Sequence, residues 1–509
     1  MASRLLTTEP VLMVRADMSA GIGSGHMMRC LALAQAWQAD GGRAVFLSHD
    51  APKSMVEELR EQQFPVQSQP HTPGSHADAL TTADQAVAHG VCWTVVDSYA
   101  CDAGYLQQVE ESGTRLLIFD DEGRGNHAAA SLVLRPWLMG ATPEDNCLDG
   151  PRYALLRQEF CACGEAAREI PAQARKFLLT LGGGDPENWT GKLLEVLAAP
   201  NSPLPADGEL IVVIGACNPH AESLAGQLAR LPCRARIERA TREMARLLAW
   251  ADIGVSASGS VCWEMCAVGL PALVLPLNDN QLPIARGLAA AGAAINLGLA
   301  GRFDAGSFIE TLRSVAGNED ARRAMSAAGR RLVDGCGAMR VVTELKSKLF
   351  HLRSVRKEDE KLIWEWANDP VVRQASFRSD PISWEDHRRW FATKVSSSTT
   401  HIYIAELEDE PVAQVRFELD DSEAVISVSV STKLRGRRYG SAILRRASRE
   451  IFRSTPVERV VAFIKSGNAA SQRAFSRAGF VHAEDTLEAG EAAAKYILHR
   501  VDCPLHERD

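Results

Sequence analysis

The sequence predicts an α/β protein with two tandem halves, each built on a parallel sheet, followed by a smaller α+β domain. Short apolar runs alternate with helix-like segments over the first two-thirds of the chain, and the pattern restarts near residue 176. Near residue 350 the sequence becomes richer in charge and tryptophan. We place the domain boundaries at 1–165, 166–347 and 348–509.

The first half is predicted from five buried strands with helical segments between them. Met27, Leu31 and Ala34 share one face of a helix that follows the first strand. The predicted strands are VLMVRA (11–16), AVFLSH (44–49), WTVVDS (93–98), RLLIFDD (115–121) and SLVLRP (131–136).

The second half repeats this alternation, and each strand ends in a glycine-, proline- or acid-rich turn. A stretch with proline and glycine at 162–175 is the predicted hinge between the halves. Two such halves imply a cleft, with ligands at the carboxyl ends of the strands. The predicted strands are KFLLTLGGGDP (176–186), ELIVVIGA (209–216), ADIGVSASG (251–259) and PALVLPL (271–277).

The last domain opens with charged, tryptophan-rich sequence and continues with an antiparallel pair of strands at 412–431, joined by the turn DDSE. A helix at 439–452, a strand at 459–465 and a helix at 468–480 follow. This order predicts an α+β domain.

Composition limits the classes of function. The net charge of −8 argues against a dedicated nucleic-acid binder, and the 46% hydrophobic content is ordinary for a globular protein. The 12 cysteines form no CxxC pair, the N-terminus lacks a signal peptide's apolar core, and no apolar run is long enough to cross a membrane. We expect a cytoplasmic protein with reduced thiols and with neither nucleic acid nor membrane as partner; the oligomeric state is left open.

The segment GIGSGHMMRC (21–30) is the first candidate for chemistry. Gly21, Gly23 and Gly25 follow a strand and let the backbone approach a ligand, and the N-terminus of the next helix favours a diphosphate. His26 stands in the first turn of that helix, where it can accept a proton near neutral pH. A tight turn with an incidental histidine is the alternative.

Three turns of the second half suit a nucleotide. Glycine turns and amide side chains at strand ends can hold phosphates, and a carboxylate one helical turn in, Glu264, can accept from ribose hydroxyls. The turns are DPENWT (185–190), SASGSVCWE (256–264) and PLNDNQ (276–281).

Residues 1–345 resemble the UDP-2,4-diacetamido-2,4,6-trideoxy-β-L-altropyranose hydrolase family of the pseudaminic acid pathway. The resemblance implies a GT-B-like fold with two Rossmann-type domains, and hydrolysis of a UDP-sugar at its anomeric carbon to UDP and free sugar. The matching stretches occur in order: RAD and GIGSGHMMRCLALA (15–34), VVDSY (95–99), IFDDE (118–122), YALLRQEF (153–160), LLTLGGGDPENWT (178–190) and the segment 256–281.

With this resemblance, His26 is the predicted base that activates water, and Asp17 and Tyr99 are predicted to orient the water or the sugar. A loop-capping Asp17 and a merely packed Tyr99 are the alternatives. Asp120 and Asp121 end a strand and are interpreted as turn formers, so no metal is assigned. The predicted substrate-binding residues are Arg15, Gly23, Gly25, Arg29, Asn188, Ser258, Gly259, Ser260, Glu264, Asn280 and Gln281.

Residues 350–505 resemble the GNAT N-acetyltransferases, which implies acetyl-CoA as co-substrate. The carrying stretches are VSVSVSTKLRGRRYGSAILRRA (427–447) and NAASQRAFSRAGF (468–480), while WANDPVVR (366–373) and DPISWEDHRRWF (380–391) resemble the branch that acetylates sugar amines. The predicted cofactor-binding residues are Val430, Arg435, Gly436, Arg437, Arg438, Gly440, Ser441, Asn468 and Ser471.

Two positions depart from the GNAT pattern. Arg438 stands where the central glycine of R-x-x-G-x-G is usual, and Phe475 stands where a tyrosine often protonates the CoA thiolate. Glu423 is a loosely assigned base for the amine.

Three hypotheses therefore remain open. The first is a bifunctional enzyme that acetylates a UDP-4-amino-sugar and then removes UDP. The second keeps the hydrolase and makes the GNAT domain a CoA sensor or dimerisation module. The third is a GT-B glycosyltransferase that passes the sugar to an acceptor.

Overall fold

The computed structural model describes residue 5 and residues 8–17, 25–121, 128–137, 146–161, 168–183, 185–215 and 218–503. Three sheets follow one another along the chain, with seven, six and seven strands. The predicted fold class, two parallel α/β units followed by an α+β unit, is confirmed. Short 3₁₀ turns occur at Pro151–Tyr153, Asp279–Gln281, Ala300–Arg302, Lys357–Asp359 and Arg500–Asp502.

The first lobe is a parallel sheet in the order β3-β2-β1-β4-β5-β6-β7. Its strands are β1 (Val11–Ala16), β2 (Arg43–Ser48), β3 (Val66–Ser68), β4 (Val91–Asp97), β5 (Arg115–Phe119), β6 (Leu132–Arg135) and β7 (Cys147–Asp149). Its helices are α1 (Gly25–Ala39), α2 (Lys53–Glu61), α3 (His76–His89), α4 (Ala103–Glu110) and α5 (Gln158–Cys161). Because β1 and β4 are parallel neighbours, with Ala16 opposite Asp97, the residues that follow both strands meet at one edge of the sheet.

The second lobe repeats the parallel design in the order β10-β9-β8-β11-β12-β13. Its strands are β8 (Lys176–Thr180), β9 (Glu209–Ile214), β10 (Arg234–Arg239), β11 (Ile253–Ser256), β12 (Ala272–Val274) and β13 (Ala294–Asn296). Its helices are α6 (Trp189–Leu197), α7 (Ala221–Leu228), α8 (Met244–Trp250), α9 (Val261–Val268), α10 (Leu282–Ala290), α11 (Ala305–Gly317) and α12 (Glu319–Leu332).

Helix α13 (Gly337–Ser347) carries the chain back from the second lobe to the first. Its Val341 and Leu345 are buried in one core with Trp37 and Trp93 of the first lobe. The indole Nε1 of Trp93 donates to the carbonyl oxygen of Leu345 at 3.0 Å. Apolar burial and a satisfied indole together fix this helix on the first lobe.

The C-terminal domain is a mixed sheet in the order β14-β15-β16-β17-β18-β20-β19. Its strands are β14 (Phe350–Ser354), β15 (Thr400–Leu407), β16 (Glu410–Asp420), β17 (Glu423–Val430), β18 (Arg459–Lys465), β19 (Val481–Glu488) and β20 (Glu491–His499). Its helices are α14 (Glu360–Ala367), α15 (Pro370–Ala375), α16 (Trp384–Val395), α17 (Gly440–Ser454) and α18 (Ala469–Arg477).

Strands β17 and β18 open a gap in this third sheet. They pair in parallel only where Glu423–Val425 faces Arg459–Val461. Beyond Val425, β17 continues to Val430 along β16 alone. Apart from the carbonyl of Val430, which accepts from Arg435, the backbone groups on that side of β17 are therefore available to an extended ligand.

One hydrophobic core runs through the first lobe, α13 and the C-terminal domain. It joins Trp37 and Leu345 to Leu444 of the C-terminal domain. Two further cores lie around the sheet of the second lobe. One includes Leu178 together with Leu156 and Phe160 from the end of the first lobe, and the other includes Leu179, on the opposite face of the sheet. Among the described residues, every helix is too short or too polar to cross a bilayer.

Candidate active sites

His26 lies in the first turn of α1 and is held by a carboxylate from the neighbouring strand. Its Nδ1 is 2.5 Å from Oδ1 of Asp97, which ends β4. Burial alone would raise the pKa of Asp97, but the charge and hydrogen bonds of Arg29, with the bond to His26, hold that pKa well below its usual range. An ionised carboxylate can only accept, so the proton lies on Nδ1 of His26 and Nε2 is the basic nitrogen of the neutral ring.

Arg29 stands one turn further along α1 and supports Asp97. Its Nε and Nη2 each lie 2.6 Å from an oxygen of Asp97, and its Nη1 and Nη2 reach Asp121 at 2.8 and 2.7 Å. The guanidinium also lies 4.1 Å from the centre of the Phe119 ring. Its donors serve these two carboxylates, so the structure places Arg29 beneath the site as a support for Asp97.

Tyr99 packs the edge of its ring against His26, with ring centres 4.8 Å apart. Its hydroxyl donates to Oδ2 of Asp121 at 2.9 Å, and half of the residue is exposed. Burial and the Asp121 charge raise the pKa of Tyr99, so the phenol stays protonated. The structure therefore gathers the predicted His26, Arg29 and Tyr99 around a carboxylate pair.

Asp17 and Arg15 form a second group at the end of β1. Arg15 is fully buried and gives its donors to Asp17, at 2.6 Å, and to Asp78, at 2.8 and 3.1 Å. Enclosed in this way, Arg15 lies beneath Asp17 and away from solvent. The Oδ1 of Asp17 also accepts from the backbone of His49, while its buried Oδ2 has no partner among the described residues.

The glycine turn of the second lobe meets the start of α1. A Cβ placed on Gly25 would lie 3.8 Å from Oγ of Ser260, the residue before α9. Ser258 is fully buried, and its hydroxyl has no partner within the described ranges. Gly259 completes this turn, so the N-termini of α1 and α9 come together from opposite lobes.

Glu264 lies one turn into α9 and faces Arg157 across the junction of the lobes. Its Oε1 is 3.9 Å from Nη2 of Arg157, and its Oε2 has no hydrogen-bond partner in the described part of the chain. Burial, opposed by the charge of Arg157, raises the pKa of Glu264 to about 7. A buried carboxylate with a free oxygen is suited to hydroxyl donors from a ligand.

The other predicted residues of the second lobe have local roles or are exposed. Asn188 adopts φ 54°, and its side chain caps α6 by accepting a hydrogen bond from the backbone N–H of Gly191. Gln281 accepts from the backbone of Leu277 at 2.9 Å, and Asn280 is exposed. Gly23, from the first lobe, lies outside the described residues.

In the C-terminal domain, the loop Arg435–Gly440 connects the open end of β17 to α17. Arg435 donates to Asp369 at 2.9 Å and to the carbonyl of Val430 at 3.0 Å, which closes the loop on the strand. Gly436 and Arg438 have φ of 79° and 61°. Arg438 thus adopts the left-handed conformation that glycine usually supplies at this position.

Helix α18 and its surroundings account for the remaining predicted positions. Asn468 caps α18 by accepting from the backbone of Ser471 at 3.1 Å, and Ser441 is buried in the first turn of α17. Phe475 is buried against Phe480, with ring centres 4.9 Å apart. Glu423 is ion-paired with Arg459 where β17 and β18 are still joined, away from the gap, so it does not fit the role of base that the sequence suggested.

Sequence reasoning missed Asp97, Asp121 as a partner of Arg29, and Arg157. Asp97 and Arg157 lie within VVDSY and YALLRQEF, stretches already noted for their resemblance. A carboxylate at the end of β4, the strand beside β1, was the available signal, because the two strand ends must meet. Within the described ranges, no group of three or more His, Cys, Asp or Glu side chains is placed to hold a metal ion.

Comparison with known families matches both parts of the chain. Residues 209–334 match the glycosyltransferase family 28 C-terminal domain, and residues 350–481 match the acetyltransferase (GNAT) domain. The chain is 32% identical over 263 residues to the spore coat polysaccharide biosynthesis protein SpsG of Bacillus subtilis, covering 49% of this chain and 75% of that protein.

The chain is also similar to a second curated protein and to a solved structure. The chain is 33% identical over 252 residues to the UDP-N-acetylglucosamine--N-acetylmuramyl-(pentapeptide) pyrophosphoryl-undecaprenol N-acetylglucosamine transferase of Stutzerimonas stutzeri, covering 48% of this chain and 68% of that protein. The crystal structure of Acinetobacter baumannii MurG aligns with a TM-score of 0.49 and 16% identity, over 66% of this chain and 98% of that chain. The two parallel sheets and the family 28 match give the lobes a GT-B-like fold, and a GNAT domain follows them.

Proposed function

Because the chain belongs to the family of SpsG-like proteins, with a glycosyltransferase-28-type lobe and a following GNAT acetyltransferase domain, we propose that it is a bifunctional enzyme of nucleotide-sugar metabolism. The lobes hydrolyse UDP-2,4-diacetamido-2,4,6-trideoxy-β-L-altropyranose to UDP and free sugar. The GNAT domain transfers an acetyl group from acetyl-CoA to the 4-amino group of the UDP-sugar precursor. These products and substrates are water-soluble, and we place the reaction in the cytoplasm.

The observation that carries the hydrolytic half is the pair His26–Asp97 at the start of α1. In the reaction, water attacks the anomeric carbon, its proton passes to Nε2 of His26, and the bond from that carbon to the phosphate oxygen breaks. UDP leaves as an anion and needs no strong acid. A base placed in this way contributes roughly 10²–10⁴-fold to the rate.

Binding of UDP is assigned to the meeting helix N-termini. The backbone N–H groups at the starts of α1 and α9 are suited to a diphosphate, since unpaired N–H groups and the helix dipole favour negative charge. The free Oε2 of Glu264 is suited to a ribose hydroxyl. Tyr99 beside His26 is suited to hold the sugar or the attacking water.

The acetylation half is supported by the GNAT family match and by the gap between β17 and β18. An acetyltransferase of this kind takes acetyl-CoA as co-substrate. The amine nitrogen attacks the acetyl carbon, the C–S bond breaks, and the amine's proton leaves while the thiolate gains one. Phe475 has no hydroxyl to supply that proton, so solvent or another donor must do so.

A second candidate function is transfer of the sugar to an acceptor hydroxyl, with His26 deprotonating the acceptor. The similarity to the N-acetylglucosamine transferase and the family 28 match favour it. A non-catalytic, CoA-binding GNAT domain is the remaining alternative, and Arg438 and Phe475 favour that one.

Mass spectrometry of the products separates these functions. We expect the full chain to release UDP from the diacetamido sugar without any acceptor, and in H₂¹⁸O to place the label in the free sugar. Labelled phosphate, or release that depends on an added acceptor, would contradict hydrolysis at carbon. Incubation of the 4-amino precursor with acetyl-CoA should yield free CoA thiol and N-acetylated sugar; CoA binding without thiol release would favour the non-catalytic alternative.

A further inference from the structure

The loop Arg435–Gly440, which we call the pyrophosphate loop, lies against the first lobe. The guanidinium of Arg437 donates to the backbone carbonyl of Thr8 at 2.5 Å. The side chain of Arg438 runs past the turn that ends α1, where a Cβ placed on Gly41 would lie 4.0 Å from its Cδ. Arg438, which interrupts the GNAT glycine pattern, and its neighbour Arg437 therefore both lie against another lobe of the same chain.

Lys346, at the end of α13, connects that turn to the pyrophosphate loop. Its buried Nζ donates to the carbonyl and to Oδ2 of Asp40, at 2.6 and 2.8 Å. The same Nζ lies 5.0 Å from the centre of the Tyr439 ring, and Tyr439 directly precedes Gly440. One buried cation thus contacts both the first lobe and the loop.

Asp40 has a further contact with the C-terminal domain. Its Oδ1 accepts from Arg477 of α18 at 3.1 Å, while its Oδ2 accepts from Lys346. Tyr439 is almost fully buried in the core shared with Trp37. The turn after α1 is therefore tied both to α18, the helix that follows β18, and to the loop itself.

The backbone of the loop needs such support. Arg438 has φ 61°, a conformation that disfavours any residue with a Cβ. A conformation of this kind persists where contacts with the surrounding structure stabilise it, and it is frequent at ligand-binding sites. The contacts of Arg437 with the first lobe and of Tyr439 with α13 add to the support that Arg435 provides from within the C-terminal domain.

We propose that the first lobe completes the acetyl-CoA site, with Lys346 and Asp40 as positioning residues that hold the pyrophosphate loop in the shape that receives the CoA diphosphate. This inference rests on the proposed binding of acetyl-CoA by the GNAT domain. The interaction surface consists of Thr8, Asp40 and Gly41 on the first lobe, Lys346 on α13, and Arg437–Tyr439 on the loop. The acetyl-CoA site is then incomplete in the C-terminal domain alone.

Titration calorimetry of the full chain with CoA, and separately with UDP, tests this inference. The variants are Lys346→Met, the double variant Asp40→Asn with Lys346→Met, and the control Lys361→Met, whose side chain is three-quarters exposed on α14. We expect the first two to bind CoA about tenfold more weakly, as for a loop that is correctly shaped about a tenth of the time. We expect the UDP affinity of these variants, and both affinities of the control variant, to stay within about twofold of the values for the unchanged protein.

The double variant guards against simple unfolding, because it removes both buried charges of the Lys346–Asp40 pair, and the asparagine oxygen can still accept from Arg477. Hydrogen exchange should rise in the peptides that cover 435–442 and stay unchanged around His26. If the double variant melts normally and binds CoA as tightly as the unchanged chain, the inference is wrong although the proposed function stands. Equal losses of CoA and UDP affinity would indicate general destabilisation and also count against it. An unchanged chain that binds no CoA would overturn the proposed acetyltransferase function, and this inference with it.

Discussion

At the scale of single residues, the chemistry of His26 is determined by its neighbours. Asp97 stays ionised because Arg29 opposes the effect of burial, and an ionised Asp97 fixes the proton on Nδ1 of His26. Asp121 shares Arg29 and accepts from Tyr99, so four side chains from two strand ends and one helix control a single imidazole. These contacts form a network, and for the proposed reaction we expect loss of one member to alter the rate more than the affinity.

Asp97→Asn tests this network. An asparagine can donate to Nδ1 of His26, which would favour the tautomer with the proton on Nε2 and remove the base. We expect turnover of the UDP-sugar to fall roughly 10²–10⁴-fold, with UDP affinity nearly unchanged. Steady-state kinetics and calorimetry measure the two quantities. Asp84→Asn, on the exposed face of α3, is the matched control, and equal activity of the two variants would refute the role of Asp97.

Glu264 gives a prediction for pH. Because burial raises its pKa to about 7, the side chain gains a proton as the pH falls through that value and loses an acceptor for the ribose. We expect UDP affinity to weaken as the solution is acidified through that pKa. Glu264→Gln should bind UDP about tenfold more weakly on the alkaline side, as for loss of a hydrogen bond to a charged group. A Gln variant that keeps the same pH profile would show that another group titrates.

Which site residues the sequence could reveal depends on how local their signal is. His26 and Glu264 stand in glycine-rich turns at helix starts, so their placement is visible from neighbouring residues. Asp97 is 71 positions from His26, and only the pairing of β1 with β4 brings them together. The sequence predicts substrate binding for Arg15 and Arg29, which stays a prediction, and the structure adds that both are ion-paired with carboxylates of the first lobe.

At the scale of elements, a strand is predictable from the sequence when it carries a recognisable run of apolar residues. The predicted strand at 11–16 is found as Val11–Ala16, and that at 459–465 as Arg459–Lys465. Strands β3 and β7 have three residues each, and β19 is mostly exposed, so none of them has a distinctive apolar pattern. The parallel core strands are predictable from apolar runs, whereas edge strands depend on pairing that the local sequence does not encode.

The pyrophosphate loop supplies a prediction at this scale. At φ 61°, glycine is favoured over alanine by roughly 1–2 kcal/mol, so Arg438→Gly should be more stable to urea than Arg438→Ala by about 1 kcal/mol. At Arg323, inside α12, the order should be reversed, with the alanine variant more stable to unfolding than the glycine variant by about 1 kcal/mol. The free energy of unfolding measures both pairs. An alanine variant as stable as glycine at 438 would mean that the loop relaxes to another backbone conformation.

At the scale of the whole molecule, the domains of the sequence do not coincide with the cores of the structure. The first lobe, α13 and the C-terminal domain share one core, whereas the second lobe packs around two others, one of which also includes Phe160 of α5. Buried ion pairs reinforce the shared core, since Glu344 of α13 lies 3.0 Å from Arg445 and 2.6 Å from Arg449 of α17. The sequence alone separates the GNAT domain at residue 348, because charged residues and tryptophan become more frequent there. The sequence contains no signal for the contact across that boundary.

Calorimetry of the full chain tests this organisation. We expect one unfolding transition for the shared core and another for the second lobe, since separate cores can unfold separately. Saturating CoA, at about 100 times its dissociation constant, should stabilise the shared core by about 2.7 kcal/mol. The unfolding temperature of the second lobe should not change. Hydrogen exchange with CoA should slow in peptides of both the first lobe and the GNAT domain. Protection confined to residues 348–509 would contradict a shared unit.

The helix that carries His26 in its first turn ends one residue before Asp40, so a single rod of 15 residues, about 22 Å long, has the proposed sugar-cleaving base at one tip and the support of the acyl-donor site at the other. Such an arrangement constrains how this chain can evolve. Splitting its gene at the domain boundary would uncover the apolar face that α13 shares with the C-terminal domain and leave Arg445 and Arg449 without Glu344. Two separate proteins that descend from this chain would therefore need polar substitutions on both exposed faces at the same time. Single substitutions within the fused chain face no such requirement.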